Sequence, residues 1–180
     1  MKFTLKNGEV VDIEEFDKRV TGKNILAYFA PIMREKPEPF LEMNRAPTLK
    51  EEKEWVAAAF KGMKKKTDLK LVAWSKGKII GITDAKLGRY RNSDKASVGI
   101  AIAKKYRAFG LGKKLLTEIV KLTKKKLKPK IIYLTVVAGN KNAWKMYEKV
   151  GFRAVAILPK WMKVRGKYWG MVYMRYKPRG

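Results

Sequence analysis

Three residues in one short stretch, Arg107, Gly110 and Gly112, have the types and spacing of an anion-binding turn. An apolar run over 98–103 precedes them and an amphipathic run over 111–127 follows, which predicts a strand, a glycine turn and a helix. The first N–H groups of a helix have no intrahelical partner and lie at the positive end of its dipole, so they bind phosphate well. A simple connecting turn would carry the same glycines, so this stretch alone leaves both interpretations open.

The turn predicts an anion cradle made of backbone and flanking side chains. Neither glycine has a side chain, so a pyrophosphate could touch the backbone, and we expect no side chain to fit at Gly110. The pattern is neither G-x-x-x-x-G-K-[ST] nor G-x-G-x-x-G, the commonest phosphate loops. The residues predicted to surround the anion are Arg107, Ala108, Phe109, Gly110, Leu111, Gly112, Lys113 and Lys114.

A second motif follows the apolar run over 131–136. It begins at Asn140, ends at Phe152 and has the form N-x-x-A-x-x-x-Y-x-x-x-G-F. Together, the two motifs resemble those of the GNAT superfamily of N-acetyltransferases over roughly residues 70–174, with an overall similarity to the ribosomal-protein N-terminal and phosphinothricin-type branches. The resemblance implies an α+β fold with a mixed, mostly antiparallel central sheet, helices on both faces, and acetyl-CoA as the acyl donor.

The resemblance also implies where the cofactor lies. In the family, the strands that precede the two motifs splay apart and acyl-CoA enters the gap, here between 100–103 and 134–138. Tyr147 matches the position whose hydroxyl commonly protonates the leaving thiolate. Close strand packing, a helix cap at Asn140 and a packed aromatic at Tyr147 are the structural alternatives. Besides the turn, the implied cofactor contacts are Ile100, Ala101, Ile102, Asn140, Ala143 and Tyr147.

The general base is where the sequence departs from the family. Many relatives carry a glutamate at the places held here by Ser97 and Thr135, and the chain has no histidine. Beyond Asp94 only two carboxylates remain, and both fall in predicted helices. A carboxylate base must therefore come from residues 1–94, and the candidates are Asp84 at a strand end and Glu42 in a proline-rich loop. A water relay is an equal alternative.

Composition limits the remaining possibilities. At 180 residues the chain is expected to be one domain, 1–180, acting as a monomer or homodimer. Without cysteine or histidine it has no disulfide, no thiolate nucleophile and none of the commonest metal ligands, so no metal is expected. No apolar run approaches the ~18 residues of a membrane span, so we expect a cytoplasmic protein without membrane contact. Abundant lysine without glutamine is thermophile-like.

Charge is distributed unevenly in this basic protein. The net charge is +27, and residues 95–180 hold 23 basic residues against 2 acidic ones. An anionic partner such as RNA, DNA or a ribosome would explain this imbalance, whereas a solvated lysine surface would not explain why one half lacks carboxylates. The predicted contact is the helix face with Lys114, Lys121, Lys124, Lys125 and Lys128.

The same charge bears on the amine acceptor. A positive site lowers the pKa of a bound ammonium, and a chain α-amine near ~8 is easier to deprotonate than a lysine near ~10.4. The predicted acceptor is therefore a protein or peptide N-terminal α-amine, and polyamines are disfavoured. Trp161, Tyr168 and Thr135 are predicted to line the acceptor site. The alternatives are a small-molecule amine acetyltransferase and a catalytically weak module that binds RNA, DNA or a ribosome.

The periodicity predicts which elements position these residues. Strands and helices alternate in the middle of the chain, and strands pair at both ends. The predicted strands are a hairpin over 3–11, then 71–75, 79–84, 97–103, 131–136, 153–164 and 167–176. The predicted helices cover 13–20, 24–33, 49–63 after the Thr48 capping box, 111–127, and a segment capped by Asn140.

Overall fold

One eight-stranded sheet, with strand order β1-β2-β3-β4-β5-β6-β8-β7, forms the centre of the fold. The computed structural model describes residues 1–35, 40–41 and 43–177. Among the described strands, β5 and β6 pair in parallel and every other neighbouring pair is antiparallel. The strands are β1 (Lys2–Thr4), β2 (Val10–Glu15), β3 (Asp68–Ser75), β4 (Lys78–Leu87), β5 (Lys95–Ile102), β6 (Ile131–Val137), β7 (Phe152–Val164) and β8 (Lys167–Tyr176).

Helices cover both faces of this sheet, as the sequence predicted. The helices are α1 (Gly22–Met33), α2 (Leu49–Lys64), α3 (Leu111–Leu122) and α4 (Lys141–Val150). Val72 and Ile82 of the sheet are buried in one core cluster with Tyr28 of α1. Ala73 and Val136 are buried in a second cluster with Leu115 of α3 and Tyr147 of α4. We call the two sides the α1/α2 face and the α3/α4 face.

The helix starts follow local signals. Thr21 and Thr48 each accept a hydrogen bond from the backbone N–H three residues later, and each belongs to a capping box. The predicted helix over 111–127 is right in extent, but α3 ends at Leu122 and continues as one π-helical turn, Thr123–Leu127. Pro31 lies in the last turn of α1, where the helix is about to end.

The predicted helix over 13–20 is wrong. β2 continues to Glu15, and Ile13 pairs with Ala73 of β3. Val11 and Ile13 are 1% and 2% exposed, which is the alternation of a half-buried strand. Asp12 and Glu15 imitate a helix start, but the long-range pairing with β3 overrides that local signal.

The pairing of β5 with β6 is short. It covers three positions, from Lys95 opposite Ile131 to Ser97 opposite Tyr133. Beyond these, β5 remains paired with β4 as far as Ile102, and β6 remains paired with β8 as far as Val137. The two strands therefore splay into a gap in the middle of the sheet, as the family resemblance implied.

Candidate active site

Backbone groups of β5 point into this gap. The Ala103 N–H donates to Ile80 O of β4 at 2.9 Å. Because backbone groups alternate sides along a strand, those of Ile100 and Ile102 face away from β4. The Ile102 carbonyl accepts a hydrogen bond from Arg107 Nε at 2.8 Å. Half-buried strand groups need partners, so a ligand with amide groups fits this edge.

The turn after β5 presents backbone N–H groups at the start of α3. Ala108 and Gly110 have φ values of 68° and 91°, both left-handed. The first helical bond runs from Lys114 N–H to Gly110 O at 3.1 Å. In the described part of the chain, the N–H groups of Leu111, Gly112 and Lys113 have no acceptor. The turn therefore offers three free backbone N–H groups, which the predicted anion cradle requires.

The two glycines serve different purposes. A Cβ built at Gly110 would meet only Phe3 Cζ, at 3.9 Å, so the prediction that no side chain fits there is wrong. Gly110 is required by its φ of 91°, which other residues adopt only with strain. At Gly112 space is the constraint, because a Cβ would lie 2.7 Å from Met146 Sδ. Gly112 therefore lets α4 pack closely on the first turn of α3.

The cations at the turn are largely paired. The two terminal nitrogens of Arg107 donate to the carboxylate of Glu35 at 2.6 and 2.7 Å. Lys114 Nζ lies 2.9 Å from Glu118, and Lys113 is exposed. The Glu35 side chain is only 10% exposed. Sequence reasoning missed Glu35, because no local pattern connects it with a residue 72 positions away.

Tyr147 lies on the α3/α4 face, within the core. Its ring meets Phe152 edge to face at 6.3 Å, and the residue is 8% exposed. Burial raises the pKa of Tyr147 to about 12. Tyr147 therefore keeps its proton at neutral pH. On the same helix, Asn140 Oδ1 accepts from Ala143 N–H at 3.3 Å, which is the cap that the alternative interpretation of Asn140 required.

On the α1/α2 face, α1 covers the end of β5. The Tyr28 hydroxyl donates to Ala101 O at 2.6 Å. Burial raises the pKa of Tyr28 above its usual value, so this hydroxyl also remains protonated. Ala101, which was predicted to contact the cofactor, thus has a hydrogen-bond partner from the protein at its carbonyl.

Asp84 lies at the mouth of the gap on the α1/α2 face. It stands opposite Gly99 of β5, and a Cβ built at Gly99 would be 2.9 Å from Asp84 Oδ1. The carboxylate therefore covers the glycine two positions after the last β5–β6 pair at Ser97. Lys70 Nζ lies 3.8 Å from Asp84 Oδ2.

Thr135, which was predicted to line the acceptor site, lies on the same face as Asp84. Because Leu134 and Val136 belong to the α3/α4 cluster, Thr135 between them faces the α1/α2 side, where it is exposed. It pairs with Tyr173 of β8. Glu42, the other candidate base, lies outside the described residues.

The hairpin of β7 and β8 reaches this side through Trp169. Its ring lies 5.3 Å from that of Phe40, edge to face, and the guanidinium of Arg165 lies 4.6 Å from the Phe40 ring. Tyr168 precedes Trp169 in the strand and so points to the opposite face of the hairpin. Tyr168 and Trp161 are 63% and 61% exposed.

Comparison with protein families identifies the chain. A model described as the acetyltransferase (GNAT) family matches residues 30–152, more than half of the sequence. The chain belongs to the GNAT acetyltransferase family. The match includes β5, the glycine turn, α3, β6 and α4, so it covers the gap, the cradle and Tyr147. No curated protein matches this acetyltransferase in sequence.

Solved structures share the fold of this GNAT acetyltransferase at low identity. YncA from Salmonella typhimurium, solved with acetyl-CoA, has a TM-score of 0.78 at 14% identity, covering 93% of each chain. A ribosomal-protein-alanine N-acetyltransferase from Brucella melitensis has a TM-score of 0.75 at 16% sequence identity, and the match covers 91% of this chain and 98% of that one. A spermidine N-acetyltransferase variant from Vibrio cholerae has a TM-score of 0.68 at 17% sequence identity, and the match covers 92% of this chain and 94% of that one.

These findings confirm the predicted family, fold class and use of acetyl-CoA. They leave the acceptor open, because the relatives named above include both a protein and a polyamine acetyltransferase. Across residues 1–35, 40–41 and 43–177, no helix is long and apolar enough to cross a membrane.

Proposed function

We propose that the enzyme acetylates the N-terminal α-amine of a protein or peptide, with Asp84 as general base and Tyr147 as hydrogen-bond donor to the leaving sulfur. The observation that carries the proposal is the Asp84 carboxylate over Gly99, at the mouth of the gap. Asp84 and Tyr147 lie on opposite faces of the sheet, and the gap is open between them. An amine could therefore approach from the α1/α2 face.

Asp84 supplies a basic group, which the hydroxyl side chains of Ser97 and Thr135 lack. All three lie on the α1/α2 face beside the gap, but neither hydroxyl is a base at neutral pH. Gly99 leaves room for a carboxylate from the neighbouring strand to reach the place where many relatives have a glutamate. A carboxylate there attracts the ammonium form of the acceptor and takes a proton as the amine attacks.

Tyr147 is proposed to act on the leaving group of the reaction. Acetyl-CoA supplies a thioester, and attack by an amine expels a thiolate. The pKa of Tyr147 is about 12, above the ~8.5 of an ordinary thiol. A hydrogen bond from the Tyr147 hydroxyl to the departing sulfur is therefore favoured over early proton transfer. Because Tyr147 keeps its proton at neutral pH, its hydroxyl can donate this hydrogen bond.

Charge on the α1/α2 face favours a peptide over a polyamine. Arg175 lies two positions after Tyr173 on the same face and is exposed. Residues 95–180, which include it, hold 23 of the 43 basic residues of the chain. An arginine can pair with acidic side chains of a peptide, whereas it repels a second ammonium. The spermidine enzyme of the same fold makes a small-molecule amine the second candidate.

The test measures CoA release with peptides that have free or blocked N-termini, internal lysines only, and with spermidine. A free N-terminus should be required for turnover, and Asp84→Asn should lower kcat/KM by about 10²-fold or more at pH 7. Raising the pH to 9 should restore part of this loss, because a chain α-amine with a pKa near ~8 then deprotonates unaided.

Lys70→Met is the matched control. It breaks the same ion pair but keeps the carboxylate, so its effect on kcat/KM should be several-fold at most. Equal losses of kcat/KM in Asp84→Asn and Lys70→Met would show that activity depends on the ion pair as a structural contact, and not on Asp84 as a base. If spermidine is acetylated faster than every peptide, the acceptor is a small amine and the proposed peptide substrate is wrong.

A further inference from the structure

The tip of the last hairpin combines exposed aromatic rings with lysines that form no ion pair among the described residues. We define the tip as residues 160–168, K-W-M-K-V-R-G-K-Y, which hold four cations and no carboxylate. Trp161 and Tyr168 are among the most exposed large apolar side chains of the described chain. Lys160, Lys163 and Lys167 form no ion pair within the described residues. The tip therefore exposes both apolar rings and lysine ammonium groups.

The register places Lys163 and Tyr168 on one side. Lys163 stands opposite Tyr168 in the β7–β8 ladder, and its Nζ lies 5.8 Å from the centre of the Tyr168 ring. Trp161 lies where the register of β7 shifts between Leu158 and Met162, and it is exposed together with Lys163 and Tyr168, whereas Met162 and Val164 are less exposed. Two exposed rings with an ammonium nearby form a surface on which planar groups can stack and phosphates can pair.

We propose that this face of the tip binds single-stranded RNA. Unpaired bases stack on exposed aromatic side chains, and the phosphates between them pair with lysines. A DNA duplex keeps its bases stacked internally, so the exposed rings would contribute nothing to its binding. A second copy of this chain is opposed by charge, since each carries +27.

The helix face that the sequence suggested fits less well. Within this face, Lys114 is paired with Glu118 and Lys124 Nζ lies 5.8 Å from the centre of the Tyr176 ring, and the neighbouring Lys126 is paired with Glu15. These contacts use part of the charge that RNA would need. At the tip, by contrast, rings and lysines face solvent together.

The tip also adjoins the acceptor side. Its opposite surface meets Phe40 through Trp169 and Arg165. RNA held on Trp161 and Tyr168 would bring an RNA-bound protein close to the α1/α2 face. The binding itself does not depend on acetyl transfer.

Fluorescence anisotropy tests the proposal with a labelled, mixed-sequence RNA of about 15 nucleotides, near the upper site size of single-strand binders. Trp161→Ala and Tyr168→Ala should each weaken binding about tenfold or more without changing its salt dependence, because stacking releases no counterions. Trp161→Phe should retain most of the affinity. Lys163→Ala should reduce the slope of log affinity against log salt by ~0.7.

Two variants away from the tip are controls. Tyr90→Ala removes a side chain that is 91% exposed, and Lys125→Ala removes a cation that follows α3. Both should change RNA affinity less than about threefold. Tyr147→Phe should bind RNA normally while losing turnover, which separates this proposal from the catalytic one.

Several results would overturn the proposal. These are no binding at low salt, equal losses for Tyr90→Ala and the tip variants, or equal affinity for a DNA duplex. Equal affinity for vesicles containing anionic lipid would also overturn it. A dimer that the tip substitutions convert to monomers would assign the exposed rings to self-association instead.

Discussion

Gly99→Ala should lower activity by displacing the Asp84 carboxylate without removing it. The added Cβ would lie 2.9 Å from Asp84 Oδ1, whereas ordinary contacts begin at 3.4 Å, so the oxygen must move by at least about half an ångström. Gly99 has no left-handed φ, so alanine strains no backbone there. Because a misplacement of about 1 Å can cost 10²-fold, kcat/KM should fall about tenfold.

A double-mutant cycle with Asp84→Asn distinguishes this mechanism from simple blockage of the acceptor. If alanine acts by moving Asp84, it should add little to the loss already caused by Asp84→Asn. The assay is CoA release with a free-amine peptide, and thermal unfolding of each variant checks folding. Full additivity, or unchanged activity in a folded Gly99→Ala enzyme, would refute the assignment of Asp84 as base.

Two further predictions concern the cofactor side. Tyr147→Phe should lower kcat by about 10²-fold while calorimetry shows nearly unchanged acetyl-CoA affinity. Since the pKa of Tyr147 is raised to about 12, its proton is retained up to that range, and an activity loss near pH 8 or 9 would belong to another group. Gly110→Asp should weaken acetyl-CoA binding by at least ~2–3 kcal/mol, because it places a negative charge in the cradle and strains a backbone with φ 91°. Gly112→Ala should cost less, because the flexible Met146 side chain can move aside, and retained affinity in a folded Gly110→Asp protein would place the cofactor elsewhere.

The sequence predicts well where local chemistry decides the structure. Thr48 and Asn140 cap helices because their side chains accept nearby N–H groups, and that signal lies within four residues. The final hairpin was predicted within one residue, because its strands are separated by only Arg165 and Gly166. The glycine turn was recognised for the same reason, since strand, turn and helix are contiguous.

Prediction fails where partners are distant in the chain. The segment 13–20 carries a helix-start signal, yet Ile13 belongs to a strand because β3, some 60 residues later, provides its partner. Glu35 pairs with Arg107 across a comparable distance. Trp161 and Tyr168 were predicted from the family resemblance to line the acceptor site, and strand alternation places Trp169, the neighbour of Tyr168, against Phe40.

The candidate base shows how the two kinds of information combine. Motif spacing finds no carboxylate on β5 or β6 beside the gap, and by itself this suggests an inactive module. The β4–β5 register changes that conclusion, because it places Asp84 opposite the glycine at 99. The missing side chain at Gly99 thus makes room for the carboxylate that we propose as the base. The glycine and the aspartate should therefore be treated as one catalytic unit, which is why their substitutions are expected to be non-additive.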